Sequence, residues 1–137
     1  MRRLILIVSS MAVLLAISGC KPQSAKPKNM SDQMYKLGIA GLETIDEYLD
    51  SKINLDEASD RVSKTNKAAS SQLDKSKEEL GVDALLGTEY ADDFTVYHTL
   101  TMLSNAVMNR SLGTGTNREI LDYRNELAES LNERTRK

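Results

Sequence analysis

Residues 94–109, FTVYHTLTMLSNAVMN, contain no Asp, Glu, Lys or Arg. Apolar side chains fall on more than one side of the helix that this pattern predicts: Phe94, Val96, Tyr97, Leu100, Met102, Leu103, Ala106, Val107 and Met108. Because a helix that is apolar nearly all round is usually buried, we predict that a helix from about Glu89 to Leu112 forms the centre of a domain. Its threonines, Ser104 and Asn105 make this helix too polar to span a membrane.

A first helix is predicted to begin at Ser31, whose side chain can cap it. Its apolar stripe recurs at steps of three and four residues, and includes Met34, Leu37, Leu42, Ile45, Tyr48 and Leu49. Gly38 and Gly41 lie on or beside this stripe, although each lowers helix propensity by about 1 kcal/mol relative to alanine. They indicate either the close approach of a neighbouring helix or a bend, and the sequence leaves both open.

A second helix is predicted from Asn54, with Glu57 in the position of a capping-box acid and Gly81 as a C-terminal cap. Its stripe is thin and built largely from small side chains: Leu55, Ala58, Val62, Thr65, Ala69, Leu73 (or Gln72), Ser76 and Leu80. Such a stripe fits either an outer helix of a bundle or a seam that awaits a partner. Val82, Leu85 and Leu86, in the connection that follows, are candidates to pack onto the core.

A fourth helix follows the break at Gly113-Thr114-Gly115, with Thr116 and Glu119 in capping-box spacing. It carries Ile120, Leu121, Tyr123, Leu127, Ala128 and Leu131, and ends near Arg134, Arg136 and Lys137, where positive charge suits the helix dipole. No strand pattern of any length is present. The sequence therefore predicts an all-α fold, a small bundle of about four helices over residues 31–137.

The N-terminal 20 residues have the order of a secretory signal peptide. Arg2 and Arg3 are followed by an apolar run from Leu4 to Ile17, which is too short for a comfortable transmembrane helix. The run ends in Ile17-Ser18-Gly19-Cys20. This ending resembles the lipobox of bacterial lipoproteins.

That resemblance implies cleavage between Gly19 and Cys20 and attachment of a diacylglyceryl group to the Cys20 thiol. It also implies that the protein is held on the extracytoplasmic face of a bacterial membrane, with residues 1–19 as a removed signal peptide. Residues 20–30 would then be the lipidated cysteine and a disordered linker, which contains both prolines of the chain. The linker lysines either touch anionic lipid or remain solvated.

Composition excludes several classes of function. The formal net charge is −2 and becomes more negative once Arg2 and Arg3 are removed, which argues against nucleic acid as a partner. Cys20 is the single cysteine, so neither an internal disulfide nor a cysteine-based metal site can form. Trp is absent, and few aromatic side chains are available to stack on sugars.

Three patterns suggest chemistry weakly. His98, the single histidine, could act as a base for Ser104, but six helical residues separate them and a core or boundary histidine fits better. Gly113 to Thr116 could bind an anion at a helix N-terminus, but a plain turn fits better. An acidic row could bind calcium, but a solvated helix face fits better: Asp122, Glu126, Glu129 and Glu133.

We therefore expect a protein-interaction module that is anchored in the membrane through diacylglyceryl-Cys20 and binds an envelope or surface protein. Its working surface would be helical, for instance the thin seam of the second helix. We expect no enzymatic activity, cofactor or metal. The alternative is a small-ligand binder with a pocket between helices near Tyr90, Tyr97 and His98. A solid core with an exposed apolar patch would favour the first, and a dry apolar cavity the second.

Overall fold

The computed structural model describes residues 25–83, 87 and 90–137, and these residues form an all-α bundle, as predicted. Four helices follow one another: α1 (Asp32–Leu49), α2 (Leu55–Leu80), α3 (Ala91–Ser111) and α4 (Asn117–Ser130). The signal peptide, the cleavage position Gly19 and the lipidation position Cys20 lie outside the described residues, as do Leu85, Leu86 and the expected helix start at Glu89.

Three of the four helices begin at the capping residue that the sequence predicts. The Ser31 hydroxyl accepts from the Met34 N–H at 3.2 Å, and the Asn54 side chain accepts from the N–H of Glu57 at 2.9 Å. The Thr116 hydroxyl accepts from the N–H of residue 119 at 3.2 Å. Each cap satisfies a backbone donor that has no partner within its helix. The start of α3 differs, because Tyr90 adopts a left-handed conformation (φ 56°) and provides no side-chain cap.

The helices α1 and α3 form the central pair of the bundle. Each contacts all three other helices, whereas α2 and α4 flank this pair and share no contact among the described residues. The side chains that fill the space between them are almost all aliphatic: Met30, Met34, Leu42, Ile45, Ala58, Val62, Ala69, Leu73, Val96, Leu100, Leu103, Ala106, Val107, Ile120, Leu127, Ala128 and Leu131.

Gly38 and Gly41 allow side chains of α3 and of the C-terminal end of α4 to pack directly against the α1 backbone. A Cβ atom at Gly41 would lie 2.5 Å from Leu100 Cδ2, and one at Gly38 would lie 2.7 Å from Leu131 Cδ2. Both distances are far shorter than a carbon–carbon contact. The glycines therefore serve close helix packing, and α1 runs as one helix through both of them.

The structure decides between the two alternatives for α2 and corrects one expectation for α3. The thin stripe of α2 is buried against α1 and α3, with Val62 and Ala69 fully buried, so it is the inner side of an outer helix and no free seam. In contrast, α3 is not buried all round, because Phe94 is 45% exposed and Met108 is 49% exposed. A helix in a four-helix bundle has at most three neighbours, so one side of α3 must face outward.

The packed core begins earlier than the sequence suggests. Met30, expected to end a disordered linker, is buried in the core, whereas the core was expected to start near Met34. Just after it, the N–H and hydroxyl of Ser31 donate to the two carboxylate oxygens of Asp93 at 2.8 and 2.6 Å. Farther back, the Ala25 carbonyl accepts from Asn132 at 3.0 Å. The end of the expected linker thus lies against the bundle.

The C-terminal tail is held by an ion-pair network around the buried Arg124. Arg124 is 5% exposed and donates from Nε and Nη2 to the two carboxylate oxygens of Asp46 at 2.9 and 2.8 Å. Arg136 also donates to Asp46, at 3.0 Å, and to Asp50, at 2.6 Å. The tail therefore folds back over the end of α1, and Arg136 does not simply follow the dipole of α4.

Candidate interaction surface

One side of α3 carries five exposed residues and no Asp, Glu, Lys or Arg. We call it the α3 outer face, and it consists of Phe94, His98, Asn105, Met108 and Leu112. Their spacings of four, seven, three and four residues place them on one side of the helix. At 1.5 Å per residue, the face is about 27 Å long. It is the side opposite the buried residues, which are Asp93, Val96, Thr99, Leu100, Leu103, Ala106 and Val107.

The apolar members of the α3 outer face are strongly exposed. Phe94, Met108 and Leu112 have exposed fractions of 45%, 49% and 71%. The Phe94 ring lies parallel to that of His98, with a centroid distance of 6.5 Å and an interplanar angle of 6°. His98 is itself exposed, so it is a surface residue beside an aromatic ring and does not lie in the core.

The outer sides of α2 and α4 are charged and internally paired. On α2, Lys64 pairs with Asp60 at 2.7 Å, and Arg61 pairs with Glu57 at 2.5 Å. On α4, Arg118 pairs with Asp122, one turn later, at 3.0 Å. Such exposed pairs keep a helix solvated and add little stability. The uncharged surface of α3 is therefore a distinct feature of the bundle.

Tyr90, Tyr97 and His98, the residues of the expected ligand pocket, do not line the open depression that the described residues form on α1. That depression, of about 280 Å³, lies along one side of α1 and is lined by Asp32, Tyr35, Lys36, Ile39, Ala40 and Glu43. Tyr90 and Tyr97 are half-buried against the core, and His98 points to solvent. Tyr97 and His98 are neighbours on one helix and therefore face directions about 100° apart.

The acidic row does not converge. Asp122 is engaged by Arg118, and Glu133 lies beyond the end of α4, where its carboxylate accepts from the Tyr35 hydroxyl at 3.2 Å. Glu126 and Glu129 are exposed. Within residues 25–83, 87 and 90–137, no three His, Cys, Asp or Glu side chains come together as a metal site.

The segment Gly113 to Thr116 forms a turn whose backbone donors are already used. The N–H groups of Thr114 and Gly115 both donate to the carbonyl of Asn109, at 2.9 and 3.0 Å. Gly113 has a φ of 77°, in the region that glycine favours. These donors face the end of α3 and do not point to a ligand.

Sequence analysis missed the pairing of Arg124 with Asp46. A signal was present, because Arg124 lies between Ile120 and Leu127 at helical spacing, on the buried side of α4. An arginine within an apolar stripe indicates a carboxylate partner, since an unpaired buried charge is very costly. The sequence could not identify Asp46 as that partner, because 78 residues separate the two.

Two carboxyl groups have pKa values that the structure shifts in opposite directions. Burial raises the pKa of Asp93, and the hydrogen bonds from Ser31 oppose this shift. The hydrogen bond from Arg136 lowers the pKa of Asp50, and Lys52 adds to this effect. Both groups hold segments of the chain in place, and neither lies on the α3 outer face.

No family model matches the sequence, and no curated protein or solved structure is significantly similar to it. In the part of the chain that the structure describes, every helix is too short or too polar to cross a membrane.

Proposed function

We propose that this protein is a lipid-anchored interaction module on the extracytoplasmic face of a bacterial membrane, and that it binds an envelope or surface protein through the α3 outer face. The proposed location is supported by the sequence Ile17-Ser18-Gly19-Cys20, which follows a basic start and an apolar run. The diacylglyceryl group on Cys20 supplies two acyl chains, which are enough for stable membrane attachment.

The α3 outer face is the observation that carries the interaction function. The centres of protein interfaces are depleted in charged residues and enriched in aromatic residues and methionine. Met108 provides such a side chain, and Leu112 extends the apolar surface beyond it. The core beneath consists of aliphatic side chains.

The small-ligand alternative receives less support. The open depression is lined by residues of a single helix, from Asp32 to Glu43, so it is a shallow surface feature and does not lie between helices. His98 stacks on Phe94 instead of facing a hydroxyl, so we propose no catalytic role for it. The protein acts, in this proposal, by binding.

Site-specific photo-crosslinking in cells tests the interaction. A photoreactive residue at Met108 should form a discrete adduct with one envelope protein, whereas the same residue at Ala68, exposed on α2, should not. The adduct should disappear when Leu112→Asp is added, because an unpaired charge is then placed within the interface. Equal adducts from both positions, or an adduct that persists with Leu112→Asp, would contradict the proposal.

Detergent phase separation tests the anchor. Wild-type protein should enter the detergent phase, and Cys20→Ser should remain as a precursor or appear in the aqueous phase, because serine does not accept the lipid. Wild-type protein that stays in the aqueous phase would rule out lipidation.

A further inference from the structure

The end of the bundle at which the described chain begins also exposes apolar side chains. We call it the anchor pole: α1 and α3 begin there, and α2 and α4 end there. The chain is fixed at this pole by several hydrogen bonds. The Ala25 carbonyl accepts from Asn132 at 3.0 Å, and the Asn29 carbonyl accepts from the Asp92 N–H at 3.3 Å.

Among the described residues, the exposed large apolar side chains at the anchor pole are Leu80, Val82 and Phe94. Their exposed fractions are 37%, 58% and 45%. The last buried residue of α2 is Ser76, and every residue from Lys77 to Asp83 is exposed, so the end of α2 extends beyond the packed bundle. Two further exposed apolar residues, Met108 and Leu112, lie at the opposite end of α3.

The short chain between the lipid and the bundle determines which end can reach the membrane. Cys20 precedes Ala25 by five residues, and a fully extended chain spans at most about 3.6 Å per residue. The anchor pole therefore lies within about 18 Å of the lipidated residue. The far end of α3 lies about 30 Å farther away, because α3 has 21 residues at 1.5 Å each.

From this geometry we propose that Leu80, Val82 and Phe94 insert into the interface of the bilayer that holds the Cys20 lipid, so that the bundle stands upright on the membrane. The inference rests on the proposed lipid anchor and extends it to a second membrane contact. Met108 and Leu112 then face away from the bilayer, where a protein partner can reach them. The anchor and the partner surface thus occupy opposite ends of one helix.

Charge at the anchor pole favours apolar insertion over attraction to anionic lipid. Exposed acidic groups lie close to Leu80 and Val82, among them Glu78, Glu79 and Asp83. Of the nearby lysines, Lys26 is engaged by Asp32 at 2.6 Å. Amphipathic protein surfaces bind membranes through buried apolar area as well as through charge, and here the apolar part dominates.

The absence of tryptophan from the sequence allows a direct test. Val82→Trp, Phe94→Trp and, as the matched control, Met108→Trp each introduce a single tryptophan at an exposed position, and this residue can be excited selectively over the tyrosines. The lipidated protein is reconstituted into phosphatidylcholine vesicles, with and without phosphatidylglycerol, and with lipids brominated along their acyl chains. Circular dichroism checks that each variant is folded.

Tryptophan at positions 82 and 94 should emit at shorter wavelength and be quenched by brominated lipid, whereas tryptophan at 108 should emit as in water and remain unquenched. The result should be the same with and without phosphatidylglycerol. Absence of quenching at both 82 and 94 would overturn the proposal, as would equal quenching at 108, which would mean that the bundle lies on its side. Quenching that requires phosphatidylglycerol would also overturn it, because the contact would then be electrostatic.

Vesicle flotation separates this inference from the proposed anchor. Protein that floats with the vesicles but shows no quenching at 82 or 94 retains its lipid anchor and lacks the second contact. Protein that does not float lacks the anchor, and both proposals then fail.

Discussion

The helices α2 and α3 are the two longest of the bundle, and they divide their side chains between core and solvent in opposite ways. α2 buries a narrow row of mostly small residues and exposes charged residues, such as Lys64 with Asp60. α3 buries large aliphatic residues and still exposes Phe94, Met108 and Leu112. Away from Leu80 and Val82 at the end of α2, the exposed apolar surface therefore belongs to α3, which has more apolar residues than its neighbours can cover.

This difference follows from the geometry of a four-helix bundle. A narrow stripe is sufficient for a flanking helix that contacts two neighbours, and small residues such as Ala58 and Ala69 keep α2 close to them. A helix with three neighbours buries a wider arc but still presents one side to solvent. Uncharged residues on that side are not needed to fill the core, which is why the proposed function places partner binding on the α3 outer face.

The largest expected effect tests whether the stripe of α2 is core. Val62→Asp should lower the free energy of unfolding by more than about 4 kcal/mol, because it buries an unpaired charge at a position with no exposure. Met108→Asp, the matched change on α3, should alter it by no more than about 0.5 kcal/mol. Urea titration of the chain without residues 1–20 measures both. Similar losses for the two variants would contradict the contrast between the helices.

The next effect concerns how closely α3 approaches α1. Gly41→Val should destabilise the protein by about 1–3 kcal/mol, because even a Cβ atom there would lie 2.5 Å from Leu100 Cδ2. Ala40→Val, one residue earlier on the exposed side of α1, is the control for the lower helix propensity of valine. Thermal unfolding compares the two. Equal losses would show that α1 and α3 are not in close contact at Gly41.

Much of this fold follows from local sequence signals, because capping and periodicity act over a few residues. Ser31, Asn54 and Thr116 mark three helix starts correctly, and the steps of three and four residues identify the buried side of α1. The buried side of α3 was harder to predict. When a helix has apolar residues on all sides, periodicity does not show which of them face neighbouring helices. The α3 outer face could therefore be identified only from the structure.

The remaining features depend on partners far apart in the sequence. Asp93 is buried because Ser31, 62 residues earlier, donates two hydrogen bonds to it. Met30 belongs to the core although its flanking residues are polar. No local pattern distinguishes these residues from those of a helix surface or a linker.

The titration of Asp93 provides a smaller effect, at the start of α3. Burial raises the pKa of Asp93 above its ordinary value of 3.8, so the folded protein binds this proton more readily than the unfolded chain. This contribution to stability is therefore greatest at low pH and is lost as the pH rises through the raised pKa. The free energy of unfolding of the wild type, minus that of Asp93→Asn, should therefore increase as the pH falls from about 7 to about 4.

Asp50→Asn is the control with the opposite sign. The hydrogen bond from Arg136 lowers the pKa of Asp50, so its contribution is present above the ordinary value of 3.8 and is lost as the pH falls through the lowered pKa. Urea titrations that extend below the ordinary value of 3.8, to about pH 2, distinguish the two slopes. A difference between wild type and Asp93→Asn that stays constant with pH would show that Asp93 is not desolvated in the folded protein.

The smallest expected effect on stability is also the most direct test of the α3 outer face. The double variant Met108→Ser/Leu112→Ser should change the free energy of unfolding by no more than about 0.5 kcal/mol, because both side chains already contact water. It should nevertheless abolish the crosslink formed from a photoreactive residue at Asn105, since it removes the apolar contacts on one side of that position. Lys67→Ser/Lys75→Ser on the exposed side of α2 should leave both quantities unchanged. A marked loss of stability in the α3 variant would mean that these side chains pack within the protein, whereas an undiminished crosslink would mean that the partner binds elsewhere.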